Sequence, residues 1–347
     1  MIKLFEMFAG YGGASFALKK AGIEHEVVGY SEIDKYAIQC YNQNHKGKNF
    51  GDCTKINPNE LPDFDLLTGG FPCQSFSVAG RGLGEQDTRG TLFHEIIRIA
   101  EIKKPSFMLL ENVKGLTFKP HKATFEKILS ELDRIGYVVK WKVLNSKDYG
   151  IPQNRERVFF VCFRKGMDTG KFSFPQKEEL KIFIKDILEE EVDDKYYLTN
   201  EQEIAKGFTD KHRVENIVYK PRGDEGIRIG RVGICPCQFR EQRGWTQGLH
   251  NVNIIYDGKR WRVLTEKETF RFMGFVEDSI KLINHKQDYK LAGNGWDINL
   301  VSRLFKAMFN SIVPPTDFPS EFSTSGKRHN IDYVASPKFH FSPYKRG

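Results

Sequence analysis

The feature that most constrains the fold is the alternation of short apolar segments with helical segments over residues 1–165. The apolar segments have the length of strands, and the segments between them carry the spaced apolar residues of amphipathic helices. Strands are predicted at residues 2–8, 26–30, 64–68, 107–111, 138–144 and 157–163, and helices at residues 15–21, 35–44, 91–102 and 122–135. This alternation predicts an α/β fold with a doubly wound, mainly parallel sheet.

The alternation breaks after Gly166. Residues 185–204 are acidic with a helical pattern, whereas residues 207–262 are rich in Gly, Arg and aromatic side chains and contain short β-like runs such as 252–256. Further helices are predicted at 265–274 and 299–310, and the last of these is amphipathic. We therefore predict a catalytic and cofactor domain at 1–178, a small β-rich domain at 179–286, a return to the first domain at 287–320 and a basic tail at 321–347.

The positive charge is concentrated in two segments. The chain has a net charge of +8, and residues 206–262 alone contain 12 Lys and Arg against 6 Asp and Glu. Residues 321–347 contain 5 Lys and Arg against 2 Asp and Glu. A local basic excess attracts a phosphate backbone, although a solvated basic face gives the same pattern.

Several protein classes are disfavoured by composition. No stretch approaches the roughly 18 apolar residues of a membrane span, and the N-terminal sequence lacks the plan of a signal peptide, so we expect a cytoplasmic protein without a membrane partner. The six cysteines do not form a disulfide framework for a chain of this length. Cys235 and Cys237 lack a second pair of ligands at zinc-finger spacing, and we expect no metal.

A candidate cofactor site follows the first strands. Phe8 leads into a turn with Gly10, Gly12 and Gly13, where the backbone can approach a ligand at the carboxyl end of the sheet, although a tight turn alone would use the same residues. Glu32 ends the second strand and suits ribose hydroxyls, while Asp34 beside it could instead cap a helix. Asp52 and Cys53 follow a third segment. A Walker lysine is absent, so an adenosine ligand without pyrophosphate fits best.

Candidate catalytic residues follow the later strands. Cys73 stands on a turn after Gly-Gly-Phe-Pro, where backbone N–H groups and nearby arginines could favour its thiolate, although most single cysteines are structural. Glu111 ends a strand and could donate a proton, or simply begin a helix. Arg155 and Arg157 face the same side if this stretch is extended, and could orient a pyrimidine carbonyl and a phosphate or pair with Glu156.

Taken in order, these motifs strongly resemble those of the C5-cytosine DNA methyltransferases of bacterial or phage restriction-modification systems. The resemblance covers residues 1–165 and about 263–310. It rests on Phe8-Ala-Gly-x-Gly-Gly13, Glu32, Gly51-Asp52, Pro72-Cys73-Gln74, Glu111-Asn112-Val113, Gln153-x-Arg-x-Arg157 and Gly293-Asn294, and on residues 87–93, which look like that family's mobile catalytic loop.

The resemblance implies a seven-stranded, Rossmann-like methyltransferase sheet with a small target-recognition domain, and double-stranded DNA bound in the cleft. It implies S-adenosyl-L-methionine as methyl donor and a flipped cytosine as acceptor. Cys73 would attack C6, Glu111 would hold the N3 and N4 edge, and Arg157 would hold O2, with Arg155 beside it. Cofactor positions are predicted at Phe8, Gly10, Gly12, Gly13, Glu32, Ile33, Asp52, Cys53, Leu92 and Asn294.

The chain departs from the family pattern at several positions. Ile33 stands where an aromatic residue often covers the adenine, so weaker stacking is expected. Gly295 replaces a common serine and is followed by Trp296, and Lys267 replaces a usual arginine. The usual Thr-Leu pair of the recognition region is missing near Cys237.

The recognition region is expected to read DNA with arginine and glutamine side chains, which suit guanine and adenine edges. Predicted DNA contacts are Ser77, Arg89, Arg228, Arg231, Gln238, Arg240 and Arg243. The stretch around Arg240 could also be a packed turn. Two alternatives remain, a tRNA cytosine-5 methyltransferase and a catalytically dead DNA-binding paralogue. We expect the protein to be a monomer.

Overall fold

A computed structural model of the protein describes residues 1–72, 92–205, 207–221, 226–238, 252–275 and 279–312. Its strands are β1 Ile2–Met7, β2 His25–Ser31, β3 Leu66–Gly70, β4 Phe107–Val113, β5 Tyr137–Asn145, β6 Gln153–Asn154, β7 Glu156–Arg164, β8 Val218–Pro221, β9 Ile227–Ile229, β10 Cys235–Pro236, β11 Ile254–Tyr256 and β12 Trp261–Val263. Its α-helices are α1 Gly13–Ala21, α2 Lys35–Asn44, α3 Leu92–Lys103, α4 Lys122–Arg134, α5 Ile184–Ile187, α6 Asn200–Ala205, α7 Glu266–Arg271, α8 His285–Asn294 and α9 Ile298–Asn310.

The large sheet has the order β2-β1-β3-β4-β7-β5. The first four strands are parallel, and β7 runs antiparallel to both β4 and β5. This confirms the α/β class and the parallel-rich sheet. Seven strands are expected, but six form within the described ranges. The position beside β2 holds a single parallel bridge between Tyr30 and Asn49 rather than a strand.

Alternation along the strands gives the large sheet an apolar core on each face. Leu4, Leu66 and Leu109 contribute to one core cluster, while Phe5 and Leu67 contribute to the other. Successive residues of a strand point to opposite faces, so two adjacent apolar residues supply both cores. Strands buried on both faces need helices on both sides, which is the doubly wound arrangement predicted from the sequence.

Aspartate side chains cap the N-terminal ends of two helices. Asp34 accepts hydrogen bonds from Tyr36 N and Ala37 N at the start of α2, so the capping role considered from the sequence is present. Asp297 caps α9 in the same way. The returning helix α9 packs on the large sheet together with α1, as expected from its apolar face.

The prediction of a helical stretch at 185–204 is wrong for most of its length. Only the short helices α5 and α6 and one 3-10 turn form there. Five acidic residues crowd positions 189–194 and would repel one another on a helix. Tyr196 and Leu198 instead pack into the core of a second sheet.

The second sheet is antiparallel, with the order β12-β11-β8-β9. Its core contains Phe208, Tyr219 and Trp261. These strands lie within the predicted β-rich segment 179–286, although the proposed domain limits remain a prediction. Phe270 and Phe275, from the end of that segment, pack in a core of the large sheet.

A buried ion pair joins the second sheet to α7. Arg262 donates to Glu268 through two nitrogens, at 2.8 and 2.7 Å, and both side chains are excluded from solvent. Glu268 also completes a capping box with Thr265 at the start of α7. Lys267, where an arginine is usual, lies 3.8 Å from Glu189.

We predict that Glu268→Gln lowers the free energy of unfolding by about 3–5 kcal/mol, because it removes the bidentate partner of a buried charge and leaves Arg262 only the carboxylate of Asp257, 3.4 Å from its Nε. Chemical denaturation monitored by circular dichroism measures the change. The matched control is Glu101→Gln, which removes the exposed partner of Arg134 and should change stability little. Equal effects of the two substitutions would contradict this account of the pair.

Candidate active site

One cavity of about 630 Å³ lies where the parallel strands β1 to β4 end. Open α/β sheets bind ligands at this edge because the strand-to-helix loops meet there. Most of the residues predicted for cofactor and catalysis line this cavity: Phe8, Gly10, Gly13, Glu32, Ile33, Asp52, Cys53, Leu92, Asn294, Glu111, Arg155 and Arg157. Cys73 lies outside the described residues.

Adjacent strand ends bring the glycine turn and Glu32 together. The Gly10 N–H donates to Oε2 of Glu32 at 2.9 Å, and Oε1 of Glu32 accepts from Ile33 N and Asp34 N. Phe8 has a φ of 54°, which is unusual for a residue with a side chain. The turn thus holds a carboxylate at the cavity wall by several backbone donors.

Gly12 has a role other than lining the cavity. Its φ is 84°, and a β-carbon there would lie 2.4 Å from Cδ2 of His45. Only glycine combines this backbone conformation with so close a side chain. We therefore interpret Gly12 as the residue that allows the turn to pack at the start of α1.

Asp52 presents an ionised carboxylate at the cofactor end. Hydrogen bonds from the Thr54 hydroxyl and the Thr54 N–H hold the pKa of the Asp52 carboxyl below its usual range. Asn49 fixes this segment to the end of β2, because its Oδ1 accepts from both Glu32 N and Gly51 N. The neighbouring Cys53 is buried, and burial raises the pKa of its thiol to about 12.

Ile33 remains largely in solvent although it borders the cavity. Its exposed fraction is 73%, so it offers an apolar edge without being packed by the protein. The contact of Ile33 with a ligand ring stays a prediction. A branched aliphatic side chain lacks the flat face that an aromatic residue would provide.

The antiparallel direction of β7 brings Glu111 and Arg157 together. Glu111 lies near the carboxyl end of β4, and Arg157 lies at the beginning of β7, which pairs with β4. Nε of Arg157 is 2.9 Å from Oε1 of Glu111. The pair is mostly shielded from solvent and faces the cavity, so it combines an acidic group with a fixed donor.

Asn112 fixes the segment that follows β3 and continues to Pro72 and Cys73. Its amide donates to the carbonyl of Phe71 at 3.0 Å, and its Oδ1 accepts from Val113 N. The side chain is buried. Asn112 was part of the sequence motif but was not assigned a role, and the structure gives it a positional one.

Arg155 differs from Arg157 in its partners. It is 3% exposed and donates to the carbonyls of Gly293 and Gly295, at 3.1 and 2.7 Å, and of Gln238 at 3.4 Å. Although Arg155 borders the cavity, its guanidinium is occupied by carbonyls of the protein backbone. This arrangement supports a positioning role for Arg155 rather than direct contact with a base.

The ring of Tyr11 explains why Gly295 replaces the usual serine. A β-carbon on Gly295 would lie 1.9 Å from Cε1 of Tyr11. The Tyr11 hydroxyl donates to the carbonyl of Trp296, and its ring meets Phe270 and Phe275 edge-on. Tyr11 thus fills the space that a serine at 295 would need.

The predicted DNA contacts fall into three groups. Arg228 and Arg231 are exposed on and beside β9. Gln238 is 1% exposed, and its N–H donates to Oε1 of Gln153, so in this conformation it offers no surface to DNA. The other predicted contacts lie outside the described residues, namely Ser77, Arg89, Arg240 and Arg243.

Glu6 is a cavity residue that the sequence reasoning missed. It lies within the apolar strand β1, accepts from the Tyr41 hydroxyl at 2.8 Å and from Ala14 N at 3.3 Å, and borders the cavity. Burial raises the pKa of its carboxyl to about 7, although these hydrogen bonds oppose the shift. A charged residue inside an otherwise apolar strand was the signal that could have identified it.

The described ranges contain neither a membrane-spanning helix nor a cluster of metal ligands. No helix there combines the length and apolar character needed to cross a membrane. The same ranges contain no group of three or more His, Cys, Asp and Glu side chains that could hold a metal ion.

A mainly parallel sheet with a polar cavity at its strand ends is typical of α/β enzymes that bind their ligands at that edge. The family follows from the sequence, because residues 2–310 match the C-5 cytosine-specific DNA methylases. The chain belongs to this family. The match confirms the predicted family and the predicted enzyme class, DNA (cytosine-5-)-methyltransferase.

Similar proteins include the Type II methyltransferase M2.ScrFI of Lactococcus lactis subsp. cremoris, with 33% identity over 372 aligned positions that span 90% of this chain and 100% of that protein. The Type II methyltransferase M.HaeII of Haemophilus aegyptius is 37% identical, over 89% of this chain and 93% of that protein. The crystal structure of S. pombe Dnmt2 methyltransferase has a TM-score of 0.69 and 24% identity, and covers 92% of this chain and 100% of that chain. This last likeness shows a shared fold.

The buried Glu6 predicts a pH-dependent stability. Because the native pKa of about 7 exceeds the usual 4.5, the native state binds the proton more tightly, and the free energy of unfolding falls as pH rises between these values. The loss should total about 3 kcal/mol. In Glu6→Gln this component should be missing, whereas the exposed control Glu126→Gln should retain it. Denaturant titrations at pH 5, 6, 7 and 8 measure the difference, and parallel pH profiles for wild type and Glu6→Gln would contradict it.

Proposed function

We propose that this protein transfers a methyl group from S-adenosyl-L-methionine to C5 of a flipped cytosine at a specific site in double-stranded DNA. The observation that carries the proposal is the Glu111–Arg157 pair at 2.9 Å, facing the same cavity as the acidic strand ends. One end of the cavity suits an adenosine ligand, and the other suits the polar edge of a pyrimidine.

The residues present fit the proposed donor. Asp52 supplies an ionised carboxylate that can accept from an adenine amino group, and Glu32 is positioned to accept from ribose hydroxyls. Ile33 and Phe8 add apolar surface at the same wall. When bound, S-adenosyl-L-methionine supplies an electrophilic methyl group on a sulfonium.

The proposed chemistry uses a covalent intermediate because C5 of neutral cytosine is a poor nucleophile. The Cys73 thiolate forms a bond to C6 and the C5–C6 π bond breaks. Its electron pair is delocalised through C5 to N3, where a proton supplied with the help of Glu111 neutralises the charge. Arg157 donates to O2 and keeps the ring in register. After C5 has gained the methyl group, loss of its proton restores the C5–C6 double bond and releases the Cys73 sulfur.

The Glu111–Arg157 contact supports these roles by fixing both side chains before the base arrives. A preorganised donor and acid need little rearrangement during the reaction. Arg155 contributes indirectly in this proposal, because its donors hold Gly293, Gly295 and Gln238 behind the cavity.

We further propose that the β-rich segment 179–286 recognises the target site. The basic excess of residues 206–262 and the exposed Arg228 and Arg231 support contact with phosphates or base edges. Relatives named Type II methyltransferases favour DNA over tRNA as the substrate and suggest a place in a restriction-modification system. Parallel assays with DNA and tRNA discriminate the two substrates.

We predict that the wild-type protein forms an SDS-stable adduct with duplex DNA that carries 5-fluorocytosine at the target, because fluorine cannot leave C5 as a proton does. Cys73→Ala should form no adduct and transfer no methyl group while still binding the donor. A gel-shift of labelled DNA under denaturing conditions measures the adduct. An adduct that persists in Cys73→Ala would disprove the assignment of the nucleophile.

We predict that Asp52→Ala weakens the binding of S-adenosyl-L-methionine by about 1.5–3 kcal/mol, the contribution of a hydrogen bond to a charged group. Isothermal titration calorimetry measures the change, and Glu32→Ala should weaken binding in the same direction. Asp63→Ala is the control, since this exposed carboxylate pairs with Lys103 away from the cavity. Unchanged affinity in both Asp52→Ala and Glu32→Ala would place the donor elsewhere.

A further inference from the structure

Cys237 is held beside the strand that carries the catalytic arginine. Strand β10 pairs in parallel with β6, and the Cys235 N–H donates to the carbonyl of Pro152 at 2.7 Å. Gln238 N then donates to Oε1 of Gln153 at 3.1 Å. Cys237 lies between these two anchored residues, so its backbone position is fixed relative to β7.

The sulfur of Cys237 is in contact with both arginines of the site. It lies 3.6 Å from Nη1 of Arg155, and 3.9 and 3.8 Å from Nη1 and Nη2 of Arg157. The Cys237 carbonyl accepts from Nζ of Lys220, a residue of β8, at 2.7 Å. Three cationic side chains therefore surround one cysteine, and Glu111 is the acid paired with Arg157.

The two arginines shift the ionisation of the Cys237 thiol. Burial opposes ionisation, but the charges of Arg155 and Arg157 outweigh it, and the pKa of Cys237 is lowered. Cys235, two residues earlier, shows the contrast. It is fully buried without such a balance of charge, and burial raises the pKa of its thiol to about 12.

We propose that Cys237 is a positioning residue for methyl transfer, whose sulfur holds the Arg157 guanidinium against Glu111. The inference rests on the proposed function and adds a second cysteine with a role different from that of Cys73. Because Lys220 belongs to the four-stranded sheet, Cys237 also ties the catalytic pair to the segment proposed to recognise DNA.

The geometry indicates why Arg157 needs this partner. One edge of its guanidinium faces Glu111 through Nε, and the two Nη atoms face the sulfur of Cys237. Nη1 also donates to the carbonyl of Glu156 at 2.9 Å, so the sulfur of Cys237 acts mainly on the Nη2 side. Without that sulfur, the guanidinium can tilt about its remaining contacts and move away from the cavity. A displacement of about 1 Å at a positioned group can reduce a rate about a hundredfold.

The first experiment compares single-turnover rates of methyl transfer at saturating DNA and donor. Cys237→Ala and the isosteric Cys237→Ser should both be slower than wild type by about tenfold to a hundredfold, with little change in the affinity for donor. Cys237→Asp, which supplies an anionic acceptor for the Nη atoms of Arg157, should be faster than Cys237→Ser. The matched control Cys235→Ala removes a thiol that does not contact either arginine and should keep nearly the wild-type rate.

The second experiment is a double-mutant cycle with Arg157→Lys. If Cys237 acts through Arg157, Cys237→Ser should cost little additional rate in the Arg157→Lys protein. Thermal unfolding of every variant identifies any that is not folded. If Cys237→Ala does not fold, the comparison with wild type relies on Cys237→Ser. A merely structural role would lower stability without the rescue by Asp and without the coupling.

The outcomes separate this inference from the proposed function. An active wild-type enzyme whose Cys237→Ser variant is equally fast, or whose losses with Arg157→Lys are simply additive, overturns the role of Cys237 alone. A folded wild-type protein that methylates no cytosine in any nucleic acid overturns the proposed function, and with it the role assigned to Cys237.

Discussion

The buried guanidinium of Arg155 is the interaction on which the cavity depends. It joins three segments that are far apart in the sequence, because its donors reach the carbonyls of Gly293, Gly295 and Gln238 while Arg155 itself precedes β7. An arginine remains charged in proteins, and its planar group can satisfy several acceptors at once. A smaller or neutral side chain would leave these carbonyls buried without partners, and the wall of the cavity would lose its connection to the sheet.

Sheet topology accounts for the rest of the arrangement. Parallel strands place Phe8, Glu32 and Glu111 at one edge, and the antiparallel β7 places its first residues at that same edge. The contact between Glu111 and Arg157 therefore requires one reversed strand beside β4. The same reversal puts Arg157 next to β10, so the small segment that holds Cys237 can touch the active site.

The sequence predicted the main elements of the large sheet because their patterns are local. Strand and helix periodicity, the capping residue Asp34 and the motif around Glu111 all depend on neighbouring residues. The acidic stretch at 185–204 misled the prediction, since its helical pattern was outweighed by charge repulsion and by the burial of Tyr196. The side-chain roles of Glu6, Gln238 and Cys237 depend on partners far away in the chain, and no local pattern encodes them.

Gly295 also shows that a local sequence pattern does not reveal a distant partner. Its departure from the family pattern was visible in the sequence, but its cause is the ring of Tyr11, which approaches from a distant turn. Compensating residues of this kind preserve a cavity while changing its wall. They explain how the proposed chemistry can persist where individual motif positions differ.

The most direct test of the account is bisulfite sequencing of DNA from cells that express the wild-type protein. The account predicts cytosines that resist conversion at one short recurring sequence, and full conversion when the cells express Cys73→Ala at the same level. Full conversion of the DNA in the presence of folded, donor-binding wild-type protein would contradict it.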